Sequence, residues 1–281
     1  MKARRDIIRA AYEHACEQEI DALKPGNVHR FSDGHGMSVS DFVTSAHVSA
    51  LPLTDASLPV GRRILNAVQA TRTAVGTNTN LGILLLCAPV ARAAETATTD
   101  LRLAVSSVLD SLTMDDTAAV FKAIAAANPG GLGSGGENDV REPPRIGLLD
   151  AMREAADRDR VAYQYASRYA DIFEIGLRAL QAADAKGESG MWPAIDAYLA
   201  FLSAFPDSHI ARKFGTSLAE TVRDEAVAMR SRLSHSSEEE PRLRCLLEFD
   251  GSLKQRGINP GTSADLTVCS LFVHRLMERL A

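Results

Sequence analysis

The chain reads as an all-α protein, a single multi-helix, bundle-like domain over residues 1–281, on three observations. Of its 281 residues 46% are apolar but only 5% are aromatic, and the apolar set is rich in alanine and leucine, which favour helix over strand. Apolar residues recur at spacings of three and four almost throughout. No segment alternates polar and apolar residues as a half-buried strand requires, and no short-period repeat is present.

The elements follow in order. Ile8, Ala11, Ala15 and Cys16 stripe a first helix. Further helices are predicted over about 40–52, 58–75, 80–96, 99–112, 115–127 and 146–157. Val161, Tyr165, Tyr169, Ile172, Phe173, Leu177 and Leu180 make one continuous stripe, and so predict one helix. Helices over about 191–204, 216–233 and 239–256 come next. A last helix carries Leu266, Cys269, Val273, Leu276, Met277 and Leu280 on one face. Polar residues gather in the short breaks between these helices, as in a bundle with one end built as a site.

Composition excludes several functions. The formal net charge of −5 argues against a general nucleic-acid binder, while leaving room for a local basic pocket for a phosphorylated small molecule. Four scattered cysteines without a CxxC pair suit a reducing cytoplasm. The charged N-terminus is no signal peptide, and the longest apolar run, 83–90, is too short to span a bilayer. The expectation is a soluble cytoplasmic protein, with homo-oligomerisation left open.

Five breaks carry chemistry. Asn259-Pro260-Gly261 cannot continue a helix, because proline lacks an N–H and glycine tolerates positive φ. Thr262 and Asp265 then have the spacing of a capping box, and the new helix start suits a phosphate. Asn78 and Asn80 precede an apolar helix whose Gly82 would let a ligand approach the backbone; one asparagine suffices as a cap. Asp207, His209, Arg212 and Lys213 form a mixed cluster on a predicted helix starting at Ser208, with Asp207 placed to cap it and the two cations suited to phosphate. His29, His35, Asp33 and Asp41 match no zinc spacing and fit a hard cation such as Mg²⁺ better. The glycine-rich stretch 130–136 has dinucleotide-like spacing but no preceding strand, which rejects a Rossmann site and leaves a covering loop or a linker. Residues 234–240 read as a solvated connector.

In order, KPGNVHR, GTNTNLG, FPDSHIARKFG and INPGTSADL resemble the motifs of the triphosphoribosyl-dephospho-coenzyme A synthase family over about residues 20–270. The resemblance implies an all-α enzyme that displaces adenine from ATP and joins the triphosphoribosyl group to 3′-dephospho-coenzyme A, with Mg²⁺ accompanying ATP. It implies catalytic roles for Asp265, Asp207, His209 and His35. Phosphate and ribose binding would fall to Lys24, Gly26, Arg30, Asn78, Asn80, Gly82, Arg212, Lys213, Asn259, Gly261 and Thr262. Asp33, Asp207 and Asp265 would be the carboxylates for Mg²⁺. The chain departs from the family pattern at KPGLVDR, where Asn27 and His29 stand, and at GAHxDM, which reads Asp33-Gly34-His35-Gly36-Met37. It departs again at NTHKG, which loses a histidine and a lysine, and at INPGGSADL, where Thr262 replaces a glycine. These departures support two alternatives: a divergent phosphoribosyl or nucleotidyl transferase acting on a one-carbon cofactor precursor, of the methanopterin or methanofuran type, and a non-catalytic nucleotide-binding or scaffold subunit.

Overall fold

The computed structural model describes residues 2–97, 100–129, 139–235 and 238–280 and is 74% helical with no strand among them. The helices are α1 (Lys2–Asp21), α2 (Val39–Leu53), α3 (Val60–Val75), α4 (Leu81–Ala94), α5 (Leu101–Asp110), α6 (Met114–Ala127), α7 (Leu148–Ala155), α8 (Arg160–Ala166), α9 (Leu177–Ala185), α10 (Trp192–Ala204), α11 (Ser208–Phe214), α12 (Thr216–Ser234), α13 (Glu239–Gln255) and α14 (Gly261–Leu280). A π-helical turn, Ile172–Gly176, leads into α9. The all-α expectation holds. The glycine-rich stretch 130–136 lies outside the described residues, as do 236 and 237 of the expected connector.

Three helices form the centre. α4, α10 and α14 are buried around most of their circumference, which a helix tolerates only when its sides are apolar or small. α4 does this with Leu84, Leu86, Cys87, Ala88 and Val90; α14 mixes Leu266, Val268 and Phe272 with Ser263, Thr267 and Ser270. The hydroxyls of Thr267 and Ser270 donate to carbonyls one turn back, at 2.8 and 2.9 Å, so they enter the core satisfied. The other helices surround these three: α14 packs against α1, α4 and α10, and α3 against α2 and α6. Cys16, Cys87 and Cys269 are buried and unpaired.

Local sequence sets the helix starts. Ser38 with Asp41 and Thr113 with Asp116 form capping boxes, and Asp100 and Asp159 cap α5 and α8. The structure corrects the expectation of one helix through 161–180. Arg168 and Tyr169 take φ of 57° and 61°, and this left-handed break folds the chain back on itself. Asp171 thereby meets Arg160 at 2.7 and 2.9 Å and Gln164 Nε2 at 2.6 Å. Arg160 and Asp171 would lie roughly 16 Å apart along an unbroken helix. The stripe survives because both tyrosines still point inward, donating to the carbonyls of Leu85 and Leu86 in α4 at 2.7 and 2.8 Å.

Gly61 fixes the crossing of α3 and α6. A Cβ there would sit 2.4 Å from the Asp116 carbonyl oxygen and 2.6 Å from its Cα, while the Gly61 N–H donates to Asp116 Oδ1 at 2.7 Å. Gly61→Ala is therefore expected to destabilise the protein by about 1–3 kcal/mol through overpacking against backbone. Gly251→Ala, in the exposed interior of α13 with open space around it, should stabilise by up to about 1 kcal/mol. Urea unfolding midpoints moving in these opposite directions check the pair.

Candidate active site

The N-terminal ends of α4 and α14, the last turn of α1 and the start of α11 converge on a cavity of about 930 Å³, at the upper end of the range for small-molecule sites. One wall is apolar, built from Phe121 and Ile124 of α6, Leu148 and Met152 of α7 and Val161 of α8. The polar part of the lining is Glu19, Asn27, Asn78, Asn80, His209, Asn259, Thr262 and Asp265. Arg72, Arg158 and Arg212 bring positive charge to the same cavity.

Asp207 assembles the polar wall. Its Oδ1 accepts from the N–H groups of His209 and Ile210 at 2.9 and 3.2 Å, capping α11. Its Oδ2 accepts from the N–H and hydroxyl of Ser263, both at 2.8 Å, so it also holds the first turn of α14. Thr262 does not pair with Asp265 as a capping box. Its hydroxyl instead meets Ser208 Oγ at 2.9 Å and accepts from the His209 N–H at 3.2 Å, bonds a glycine could not make. The two helix starts are thus stitched together, with the His209 ring against Gly261, where a Cβ would lie 2.9 Å from Nδ1.

Asp265 faces the cavity from this junction with no hydrogen-bond or ionic partner among the described residues. Its carboxylate packs on Gly82 of α4: a Cβ at Gly82 would fall 2.0 Å from Oδ2. Gly82, which also lines the cavity, is needed for that approach. Burial first, then the charges of Glu19, Asp207 and Asp159, push the Asp265 carboxyl well above the usual carboxylate range, with Arg212 opposing them.

The KPGN segment forms the base of the wall. Gly26, at φ +83°, lies against Pro260 and Leu253, and its N–H donates to Asp250 Oδ1 at 2.8 Å. Asn27 Nδ2 donates to Asn259 Oδ1 at 2.7 Å, joining this loop to the start of α14. Asn78 Oδ1 accepts from the Leu81 N–H at 3.1 Å and caps α4, and buried Asn80 reaches Ser49.

Of the residues singled out in the sequence, the structure brings Asn78, Asn80, Gly82, His209, Arg212, Asn259, Gly261, Thr262 and Asp265 to one cavity. Others stand elsewhere. Lys24 is fully buried, with its ammonium on Glu19 at 2.9 Å and on Asn27 and Val28; it has no donor left for phosphate. Arg30 is on the surface with Asp21. Gly26 is a packing point between loops. His35 Nε2–H donates to the Gly26 carbonyl at 2.8 Å, and Asp33 Oδ1 accepts from the Val39 N–H at 2.8 Å; neither lines the cavity. Lys213 is exposed beside the Phe214 ring. Asp207 is fully buried with both oxygens committed, which corrects its reading as a catalytic or metal-binding carboxylate. His29 contacts Asp250 and Lys254 at 3.2 and 3.3 Å, and Asp41 belongs to the α2 capping box. The sequence reading missed Glu19, Asn27, Arg72 and Arg158 as cavity residues. Asn27 sits inside a motif and so was within reach, whereas Glu19 looks like any polar residue in an amphipathic helix.

Comparison with known proteins follows this geometry. A family model described as CitG, ATP:dephospho-CoA triphosphoribosyl transferase, matches residues 5–281. The chain belongs to the CitG family. A crystal structure from Archaeoglobus fulgidus, provisionally described as a triphosphoribosyl-dephospho-coA synthase, has the same fold at 22% identity and a TM-score of 0.65, covering 83% of this chain and 97% of that one. No curated protein sequence matches significantly. No helix among the described residues is long and apolar enough to cross a membrane.

Two predictions follow from the wall. Asp207→Ala removes two helix caps and leaves buried donors unmet, so stability should fall by about 3 kcal/mol, read as a lower urea midpoint. Burial, acting against the favourable contact with Asp250, lowers the His29 pKa. Below about pH 6.5 the unfolded chain therefore binds more protons than the folded one. Stability should drop as pH falls from 7 to 5, and His29→Gln should flatten that slope in thermal melts.

Proposed function

We propose that this chain transfers the triphosphoribosyl group of ATP to 3′-dephospho-coenzyme A and releases adenine. Family membership supports the reaction class, and one observation in the cavity carries the site assignment: the Asp265 carboxyl, facing the cavity without a partner. A desolvated carboxylate without a counter-charge is costly in the free protein and is relieved by positive charge arriving with a substrate.

Magnesium was expected to meet Asp33, Asp207 and Asp265. The first two carboxylates are committed to backbone donors away from the cavity. Asp265 fits, as the single protein carboxylate for an ion whose other ligands are phosphate oxygens and water. The ion would supply neutralisation of phosphate charge there.

The chain's own groups take complementary roles. Arg72, Arg158 and Arg212 hold the triphosphate, the guanidinium being suited to bidentate phosphate contact. Asn78, Asn80 and Asn259 orient ribose hydroxyls. The apolar wall of Phe121, Ile124, Leu148 and Met152 takes the flat face of adenine and keeps water from the reacting bond. His209, whose pKa burial lowers despite Asp207, is neutral near pH 7 and supplies a hydrogen-bonding ring beside Gly261.

Incubation with ATP, Mg²⁺ and dephospho-coenzyme A should release adenine, measured chromatographically, only when the coenzyme is present. ATP bound without adenine release, or no nucleotide bound at all, overturns the reading. Asp265→Asn should lower turnover at least 100-fold while raising the melting temperature, because it removes a strained carboxyl. A fall in both would mean that Asp265 serves the fold.

A further inference from the structure

Among the carboxylates that line the cavity is Glu19, in the last turn of α1, and its setting differs from that of Asp265. Glu19 lines the cavity although only 4% of its surface is exposed. One oxygen, Oε1, lies 2.9 Å from Lys24 Nζ. That ammonium is itself fixed, donating to the Val28 carbonyl at 2.5 Å and to Asn27 Oδ1 at 3.2 Å, and it is wholly buried. The other oxygen, Oε2, has no hydrogen-bond partner among the described residues. Asn27 is in turn tied to Asn259 at the start of α14. A rigid chain of contacts therefore runs from the Lys24 ammonium to the polar wall, and it holds one free carboxylate oxygen there.

We propose that Glu19 is the general base that takes the proton from the acceptor's attacking hydroxyl. This rests on the transferase reading above and assigns a step within it. The hydroxyl oxygen forms a bond to C1′ of the ATP ribose. The C1′–N9 bond breaks, and its electron pair leaves on adenine N9. The hydroxyl proton passes to Glu19 Oε2 and is returned through solvent to the departing adenine, so that the carboxylate is restored. Glu19 and Asp265, two of the acids lining the cavity, thus divide the work by environment. Asp265 has no partner and answers charge brought by substrate, whereas Glu19 has the Lys24 ammonium at 2.9 Å, which favours its charged form. Burial raises the Glu19 pKa, opposed by the Lys24 ammonium, which makes Glu19 a stronger base than an exposed glutamate. A lysine alone would explain a buried ion pair; a place in the cavity lining with one oxygen left unbonded is what a purely structural pair does not need.

The test compares wild type, Glu19→Gln and Glu19→Asp in coenzyme-dependent adenine release across pH. Glu19→Gln should lower kcat at least 100-fold, leave KM for ATP and for dephospho-coenzyme A within about threefold, and remove the acid limb of the pH profile. Glu19→Asp should retain part of the activity, with that limb moved to lower pH. If Glu19→Gln fails to fold because Lys24 is left unpaired, the double variant Glu19→Gln/Lys24→Met removes the stranded charge and should show the same loss of kcat. An active wild type with Glu19→Gln or the double variant within tenfold of it, or with the acid limb intact, overturns the assignment of Glu19 alone. A loss of ATP binding in place of kcat does the same. A wild type that releases no adenine overturns the transferase reading, and the Glu19 step with it.

Discussion

Everything at the cavity depends on one buried carboxylate that serves two helices. Asp207 caps α11 with one oxygen and the first turn of α14 with the other, and it is fully buried while doing so. An ionised carboxylate is stable in such a place only when it is surrounded by donors, and two helix N-termini provide them. Once these starts are joined, the remaining geometry follows. Thr262 reaches His209, His209 lies on Gly261, and Asp265 emerges one turn into α14, opposite Gly82 of α4.

The electrostatics of the cavity are a consequence of this construction. Asp265 is desolvated and stands among other acids, an arrangement that disfavours its charge until substrate arrives. Arg212, which shares the cavity, is held by Asp159 at 2.5 Å, and Asp159 also caps α8. Cavity residues are therefore anchored by groups that also terminate helices. That economy holds the site's groups in place before substrate binds, as preorganised catalysis requires.

Much of the fold was legible in the sequence, because helix periodicity and capping are local. The helices of 39–53, 60–75, 192–204 and 216–234 fall within a residue or two of their expected bounds. The break at Arg168 and Tyr169 was not legible: the apolar stripe continues through it, and what forces it is a distant pairing of Arg160 with Asp171. At the site, the loop residues Asn78 and Asn259, and Asp265 in the first turns of α14, were within reach because motifs mark loops and the helix starts that follow them. Lys24, Asp207 and Arg30 were misplaced because a charged residue in a motif looks the same whether it meets ligand, protein or solvent. Burial separates these cases, and burial is a tertiary property. Glu19 was missed for the converse reason, since its helix conceals it.

The claim on which the account rests is that Asp265 is a strained, unpartnered carboxyl awaiting positive charge. Its side-chain ¹³C resonance, titrated in the free protein and with ATP and Mg²⁺ bound, measures this directly. The account predicts an ionisation well above the usual carboxylate range in the free protein and a fall when Mg²⁺ and ATP are bound. An ordinary carboxylate ionisation in the free protein, or one that bound nucleotide and metal leave unchanged, would contradict it.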